Sequence, residues 1–276
     1  MDRLVSIILK GILQQIINSR RSSIEAARQA LPRAKLREQS LSYRAQAQPH
    51  AMMKALSVKD RINIIAEFKR RSPSKGVIRD DISAAEMAMQ YESGGAAAIS
   101  VLTEEENFGG SLQDLRDVKH TVAIPVLRKD FIVDEHQVYE AAAVGADAVL
   151  LIVAALQDDE LRRLRLIAEE ELGLDALVEV HSIDEMTRAA DSGAKLIGVN
   201  NRDLNTFDVS LETSVNLSSY APSNALLVSE SGLKSKTDLV RLRKLGYCGF
   251  LIGESLMTAD TPELLIHSLI ADTLRT

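Results

Sequence analysis

Eight short apolar runs recur along most of this chain, and no other feature limits its fold so strongly. They are Ile62–Phe68, Ala97–Leu102, Ile124–Leu127, Ala148–Val153, Ala176–Val180, Leu196–Asn200, Ala225–Val228 and Gly249–Ile252. Runs with little polar alternation suit parallel strands buried on both faces. Successive starts lie about 20 to 35 residues apart, which leaves room for one helix and two loops each. Gly-Ala at 145–146 and 193–194, and Gly246, sit where a helix must stop before the next strand. Eight βα units predict an α/β fold, a closed (β/α)8 TIM barrel, because a doubly wound sheet would more often show about six strands. A chain of 276 residues suits one such barrel.

The preceding segment has a different pattern. Leu4, Ile7, Ile8, Ile12 and Ile16 recur at helical spacing, so residues 3–17 read as an amphipathic helix. A second helix is expected from about Ser23 to near Leu31, where Pro32 disfavours continuation, and polar Gln39 to His50 read as a linker. The expected division is an N-terminal helical extension over 1–48 and one catalytic barrel domain over 49–276. Residues 1–48 hold nine Lys/Arg and three Asp/Glu, a net of +6; the whole chain is −6, so residues 49–276 carry −12. A basic, acid-poor start is compatible with a nucleic-acid arm or a transit peptide, but also with helices whose basic faces lie on an acidic domain. The acidic total argues against nucleic-acid binding, which depends on neutralising phosphates.

Composition narrows the class further. No apolar run approaches the roughly 18 residues needed to span a bilayer, and the first apolar stretch lacks a small-residue cleavage site. Cys248 is the single cysteine, which excludes a disulfide framework and points to a reducing compartment, so a cytoplasmic enzyme is expected. No His/Cys/carboxylate set has metal-ligand spacing. Neither a metal, another cofactor nor an obligate protein partner is called for.

In such barrels the active site lies at the C-terminal ends of the strands. Strand one leaves as Glu67-Phe68-Lys69, followed by Arg70-Arg71-Ser72; alternation puts Glu67 and Lys69 on one face. Strand three leaves through Lys129, strand five carries Glu179 and then His181, and strand six ends Asn200-Asn201-Arg202. Strand seven ends Ser229-Glu230-Ser231-Gly232, and strand eight ends Gly253-Glu254-Ser255. His181 by itself reads as a structural or rim residue, and Glu104, Glu105 and Glu106 as a solvated loop face. Gly232 and Gly253 lie where barrels commonly bind phosphate through backbone N–H groups. Two lysines and an arginine imply a second anion beside the phosphate. A phosphorylated, anionic small substrate handled by acid–base chemistry is expected.

At these residues the chain resembles the indole-3-glycerol phosphate synthase family. The matching strings are Ile65-Ala66-Glu67-Phe68-Lys69-Arg70-Arg71-Ser72-Pro73-Ser74, Leu127-Arg128-Lys129-Asp130-Phe131-Ile132, Val178-Glu179-Val180-His181, Gly198-Val199-Asn200-Asn201-Arg202-Asp203-Leu204, Ser229-Glu230-Ser231-Gly232 and Phe250-Leu251-Ile252-Gly253-Glu254-Ser255. The first string is highly specific; the glycine-containing ends occur in related phosphate-binding barrels too. The N-terminal helices look like the family's segment before the barrel. One loop departs: after Thr103-Glu104-Glu105, a position often basic is Glu106.

The resemblance implies closure of 1-(2-carboxyphenylamino)-1-deoxyribulose 5-phosphate to indole-3-glycerol phosphate, with loss of CO2 and water. Lys129 then suits the general acid on the ketone, and Lys69, Asn200 and Arg202 the hold on the carboxylate. Glu179 and Glu67 suit the proton removals, with one lysine assisting. Ser72, Glu230 and Ser231 are substrate-binding candidates, Phe108 and Phe131 candidates to pack on the aryl ring. Gly232, Gly253, Glu254 and Lys69 are candidates for the phosphate. A phosphoribosylanthranilate isomerase-like barrel is the nearest rival, but it needs a Cys/Asp type pair near strands one and five. A non-catalytic ligand-binding barrel is the other rival, and it would need a lost catalytic residue.

Overall fold

The computed structural model describes residues 2–203 and 206–271, with side chains at 11 and from 13 onward. Helix α1 spans Asp2–Ala30, α2 Arg33–Arg44 and α3 Ala51–Leu56. The barrel strands are β1 (Asn63–Phe68), β2 (Ala98–Leu102), β3 (Val126–Lys129), β4 (Ala148–Ile152), β5 (Asp175–Val180), β6 (Leu196–Asn200), β7 (Leu226–Glu230) and β8 (Tyr247–Ile252). Among the described residues these eight close a parallel barrel in which each strand pairs with the next and β8 with β1.

Helices alternate with the strands: α4 Ala84–Ser93, α5 Leu112–Thr121, α6 Glu135–Ala143, α7 Asp158–Leu166, α8 Ile183–Ser192, α9 Glu212–Leu217 and α10 Lys236–Lys244, with α11 Glu254–Met257 and α12 Pro262–Ile270 last. Ser83, Ser111, Asp134, Ser182 and Ser235 start α4, α5, α6, α8 and α10 by accepting a backbone N–H. Gly145, Gly193 and Gly246 end helices at φ of 99°, 85° and 98°, the left-handed conformation expected of them.

Strand alternation makes two cores. Ile64, Ala66, Val149, Val178 and Val199 pack outward under the helices, whereas Ile65, Leu127, Leu150, Leu177, Leu196, Val228 and Leu251 fill the barrel. Met52 and Leu56 of α3 join that inner cluster and close the bottom. Three strands start on polar or unexpected residues. The Asn63 amide donates to Leu56 O, Val58 O and Cys248 O, and Asp175 accepts the Met53 N–H at 2.9 Å. Asp175, a buried polar group with a partner, thus extends β5 one residue before its apolar run, whereas β1 starts at Asn63, one residue inside its own. β3 starts after Pro125, which has no N–H to give a ladder, and continues through Arg128 and Lys129.

The N-terminal region departs from expectation. α1 is one helix, because Ser22 and Ser23 donate back to Asn18 O and Arg20 O and its polar middle does not break it. The expected linker is helical as far as Arg44: Leu36, Ser40 and Arg44 bury one face of α2, and the polar residues cover the other. In the Leu4/Ile7/Ile8/Ile12/Ile16 stripe the first four side chains lie outside the described residues; Ile16 is buried. Basic side chains meet acidic ones across the junction. Arg20 pairs with Asp130 at 2.8 Å, Arg28 with Asp134 at 2.8 Å, Arg37 with Glu171 at 2.6 Å, and Arg33 with Glu135.

Candidate active site

A cavity of about 1020 Å³ opens at the C-terminal ends of the strands. Its floor is one layer of four side chains from alternate strands: Glu67 of β1, Lys129 of β3, Glu179 of β5 and Glu230 of β7. Barrel interiors are normally filled by such four-residue layers of branched apolar side chains. Three buried carboxylates and a lysine there need another explanation than packing.

These groups interlock. Lys129 Nζ lies 2.8 Å from Glu179 Oε2 and 2.9 Å from Glu230 Oε2, and Lys69 Nζ donates to Glu67 Oε1 at 2.6 Å. Burial pushes the Lys129 ammonium down, but Glu179, Glu230 and Glu67 outweigh it and hold the proton well above the ordinary lysine range. Burial pushes Glu179 up, but Lys129 and His181 outweigh it and keep this carboxylate well below its usual range. Glu230 goes the other way. Burial, with Glu179 and Glu67 nearby, pushes it up to about 7 against the pull of Lys129. Its Oε1 is buried with no hydrogen-bond partner among the described residues. Carboxylates with separated proton affinities around one lysine can give and take protons near neutral pH.

Two glycines make this layer possible. A Cβ at Gly198 of β6 would stand 2.1 Å from Glu230 Oε1, and one at Gly253 2.4 Å from Glu67 Oε1. Gly253 is therefore needed for Glu67's room, whatever it offers an anion. Asn200, Arg202, Ser72, Glu254 and the Ser231-Gly232 turn line the cavity wall. Asn200 Oδ1 accepts the Arg202 N–H at 3.0 Å, and Arg202 donates to Phe207 O at 3.1 Å. Ser231 and Gly232 both hold positive φ, 66° and 79°; for the serine this is a strained conformation of the kind found at functional sites. Glu254 can present only its backbone N–H to an anion, since its carboxylate faces Lys75 at 3.3 Å. Phe108 and Phe131 meet at the rim with centroids 6.1 Å apart.

Some functional groups carry no sequence signal. Glu104 is 3% exposed, not solvated as expected. Its carboxylate accepts the N–H groups of Glu106, Asn107 and Phe108 and so shapes the loop that aims the Phe108 ring. Leu13 and Ile16 of α1 line the cavity, and Arg20 bonds Asp130 next to Lys129. Glu106, at the departing loop position, accepts from Ser19 Oγ of α1 at 3.0 Å. His181 lies behind Glu179, outside the cavity wall. A second cleft, about 1200 Å³, lies at the opposite end against α2 and α3. There Asp147 is tied to Lys119 and the Val126 N–H, so its buried carboxylate is structural. Among the described residues no His, Cys, Asp or Glu group is arranged to hold a metal.

A closed (β/α)8 barrel with an interlocked lysine–glutamate layer at its C-terminal mouth is the framework of an acid–base enzyme. The chain belongs to the indole-3-glycerol phosphate synthase family, whose sequence profile matches residues 13–269. An indole-3-glycerol phosphate synthase of Koribacter versatilis is 48% identical over 264 residues, covering 95% of this chain and 100% of that one. Its counterpart in Carboxydothermus hydrogenoformans is 43% identical over 266 residues, covering 94% and 99%. Among solved structures, a thiamine phosphate pyrophosphorylase from Pyrococcus furiosus superposes with a TM-score of 0.58 at 18% identity, over 77% of this chain and 96% of that one. A mandelate oxidase gives 0.58 at 15% identity, over 81% and 84%. These two likenesses concern the fold alone.

Proposed function

We propose that the mouth of this barrel closes 1-(2-carboxyphenylamino)-1-deoxyribulose 5-phosphate to indole-3-glycerol phosphate, releasing CO2 and water. The four-residue layer carries the reading, because it places a charged lysine between carboxylates of unequal proton affinity. The aryl carbon bearing the carboxylate attacks the ketone, and Lys129 protonates the carbonyl oxygen as the new bond forms. Lys69, Asn200 and Arg202 hold the substrate carboxylate until its C–C bond breaks and CO2 leaves. The hydroxyl so formed then departs as water with a proton from a lysine, while Glu179 or Glu67 takes a proton from the ring being completed. Phe108 and Phe131 flank the aryl group, with Ser72, Glu230 and Ser231 on the substrate. Backbone N–H groups at Gly232, Gly253 and Glu254, with Lys69, receive the phosphate.

The isomerase reading is not supported. Cys248 donates to Leu227 O near the start of β8 and packs against the inner cluster, away from the mouth. A silent barrel is disfavoured too, since Glu67, Lys69, Lys129 and Glu179 are all drawn together. No helix of the described residues is long and apolar enough to cross a membrane, and a cytoplasmic location fits the lone cysteine. The decisive measurement is the ultraviolet change on adding enzyme to the anthranilate-derived substrate, with CO2 measured in parallel. Stoichiometric indole product and CO2 are expected; substrate consumed without CO2 would overturn the reading.

A further inference from the structure

We propose that His181 and Glu185 are positioning residues for Glu179, a cationic imidazole braced by Glu185 holding the Glu179 carboxylate ionised and aimed. This rests on Glu179 acting as a base in the proposed reaction. His181 follows β5 directly and shares Glu179's face by alternation, yet stands behind it without lining the cavity. Its Nε2 is 3.4 Å from Glu179 Oε1, and its Nδ1 is 3.1 Å from Glu185 Oε2. The same Glu185 oxygen accepts the His181 backbone N–H at 2.7 Å. Glu185 is itself set by the first turn of α8, where Ser182 Oγ accepts its N–H.

A ring facing a carboxylate on each side satisfies both only as imidazolium, since the neutral form would turn a lone pair toward one of them. Burial pushes His181 down, but Glu179 and Glu185 outweigh it and push it up to about 10. Lys129 from β3 and Glu230 from β7 also face Glu179, and Glu67 from β1 acts on those two. In the free enzyme Lys129 occupies Glu179 Oε2. Once Lys129 turns to the substrate ketone, His181 is the cation left beside Glu179. Its Nε2 is buried and makes no hydrogen bond among the described residues, so it is free to close that contact.

The test uses the full chain and four variants, His181→Ala, His181→Gln, Glu185→Gln and Glu179→Gln, with kcat and KM followed from about pH 5 to 9. Removing the cation lets Glu179 keep its proton to higher pH. The wild-type limb set by Glu179 lies below this range, and His181→Ala is expected to bring it into the range once Lys129 has turned to the substrate, lowering kcat about 10-fold at pH 5 with little change in KM. His181→Gln offers an N–H without charge, so it leaves the acid limb raised as in His181→Ala and keeps wild-type kcat on the alkaline side. Glu185→Gln shifts the limb the same way by less. Ring signals of His181 in wild-type NMR spectra should remain those of the cation at pH 8, where an ordinary histidine titrating near 6.5 is neutral. A wild-type ring titrating near its ordinary value, or a folded His181→Ala with unchanged kcat and acid limb, overturns the proposal. Should His181→Ala not fold, the ring titration and Glu185→Gln decide. If Glu179→Gln keeps wild-type kcat, the assignment of Glu179 is what fails; if it is inactive while the His181 and Glu185 variants match wild type, only the positioning role fails.

Discussion

Lys129 holds two buried carboxylates at once, so its replacement has two consequences that separate by pH. Lys129→Met should lower turnover by about 10²-fold or more, the usual worth of a positioned general acid. It also leaves Glu230 unpaired in the core and Glu179 with His181 alone, and burial then raises their proton affinity in the folded state. A raised carboxylate costs nothing below its unfolded pKa and progressively more above it, so the variant's Tm deficit should widen from pH 5 to pH 8. Turnover within a few-fold of wild type would remove the acid from Lys129. Glu230 shows the same sign in the wild type. Its folded pKa of about 7 lies above the unfolded value, so its favourable contribution is complete in acid and is lost as pH rises through 7. Glu230→Gln abolishes that titration; its Tm relative to wild type should climb between pH 5 and pH 8 while kcat falls. A pH-independent Tm difference refutes this account. At this scale the sequence was informative where alternation alone decides: Glu67, Lys129, Glu179 and Glu230 are legible as inward-facing strand ends. Arg20, Glu104 and Gly198 were not, because their worth comes from contacts made only in the folded chain.

At the scale of elements, the barrel strands were legible because a strand buried on both faces must be apolar almost throughout. The errors fall at polar strand ends, Asp175 and Lys129, whose burial is satisfied by partners far along the chain. The polar stretch of α2 misled for the opposite reason: a helix lying on a domain buries one face only, and one face of Leu36, Ser40 and Arg44 is a weak periodic signal. The β8–α11 junction carries a prediction of its own. Gly253 has two proposed duties, an N–H toward phosphate and space for Glu67. Gly253→Ala keeps the N–H but puts a methyl 2.4 Å from Glu67 Oε1, so Glu67 must move. Its kcat should fall about 10-fold even at saturating substrate, with competition by inorganic phosphate preserved. A rise in KM alone would show that Glu67 yields without cost and that the glycine serves the anion only.

For the whole molecule, the question is what α1 adds to a barrel that closes without it. The charge split read from sequence reappears as pairs from the extension to the barrel, but they are of two kinds. Arg33, Arg37 and Arg44 of α2 serve attachment: Arg44 is buried and donates to Leu172 O, Ala146 O and Gly173 O beside Asp147. Removing α2 would strip a structural cation from the bottom of the barrel, so a deletion through residue 45 confounds stability with function. α1 is the part near the chemistry. Its Leu13 and Ile16 line the cavity, Ser19 holds the loop after β2, and Arg20 reaches Asp130, the neighbour of Lys129. The described side chains of α1 include Arg20, Arg21 and Arg28 against Glu25, so they also add positive potential beside a doubly anionic substrate. Deleting residues 1–31 should leave a folded barrel with α2 in place, a lower Tm from the exposed Ile17 and Ile24 contacts, and a raised KM. Because salt screens the lost attraction, the KM ratio of truncated to intact enzyme should be larger at low salt than at high salt. A KM ratio that does not change with salt would confine α1 to shaping the apolar rim. A truncated enzyme with wild-type kinetics at every salt concentration and a lower Tm would reduce it to a cover over the barrel.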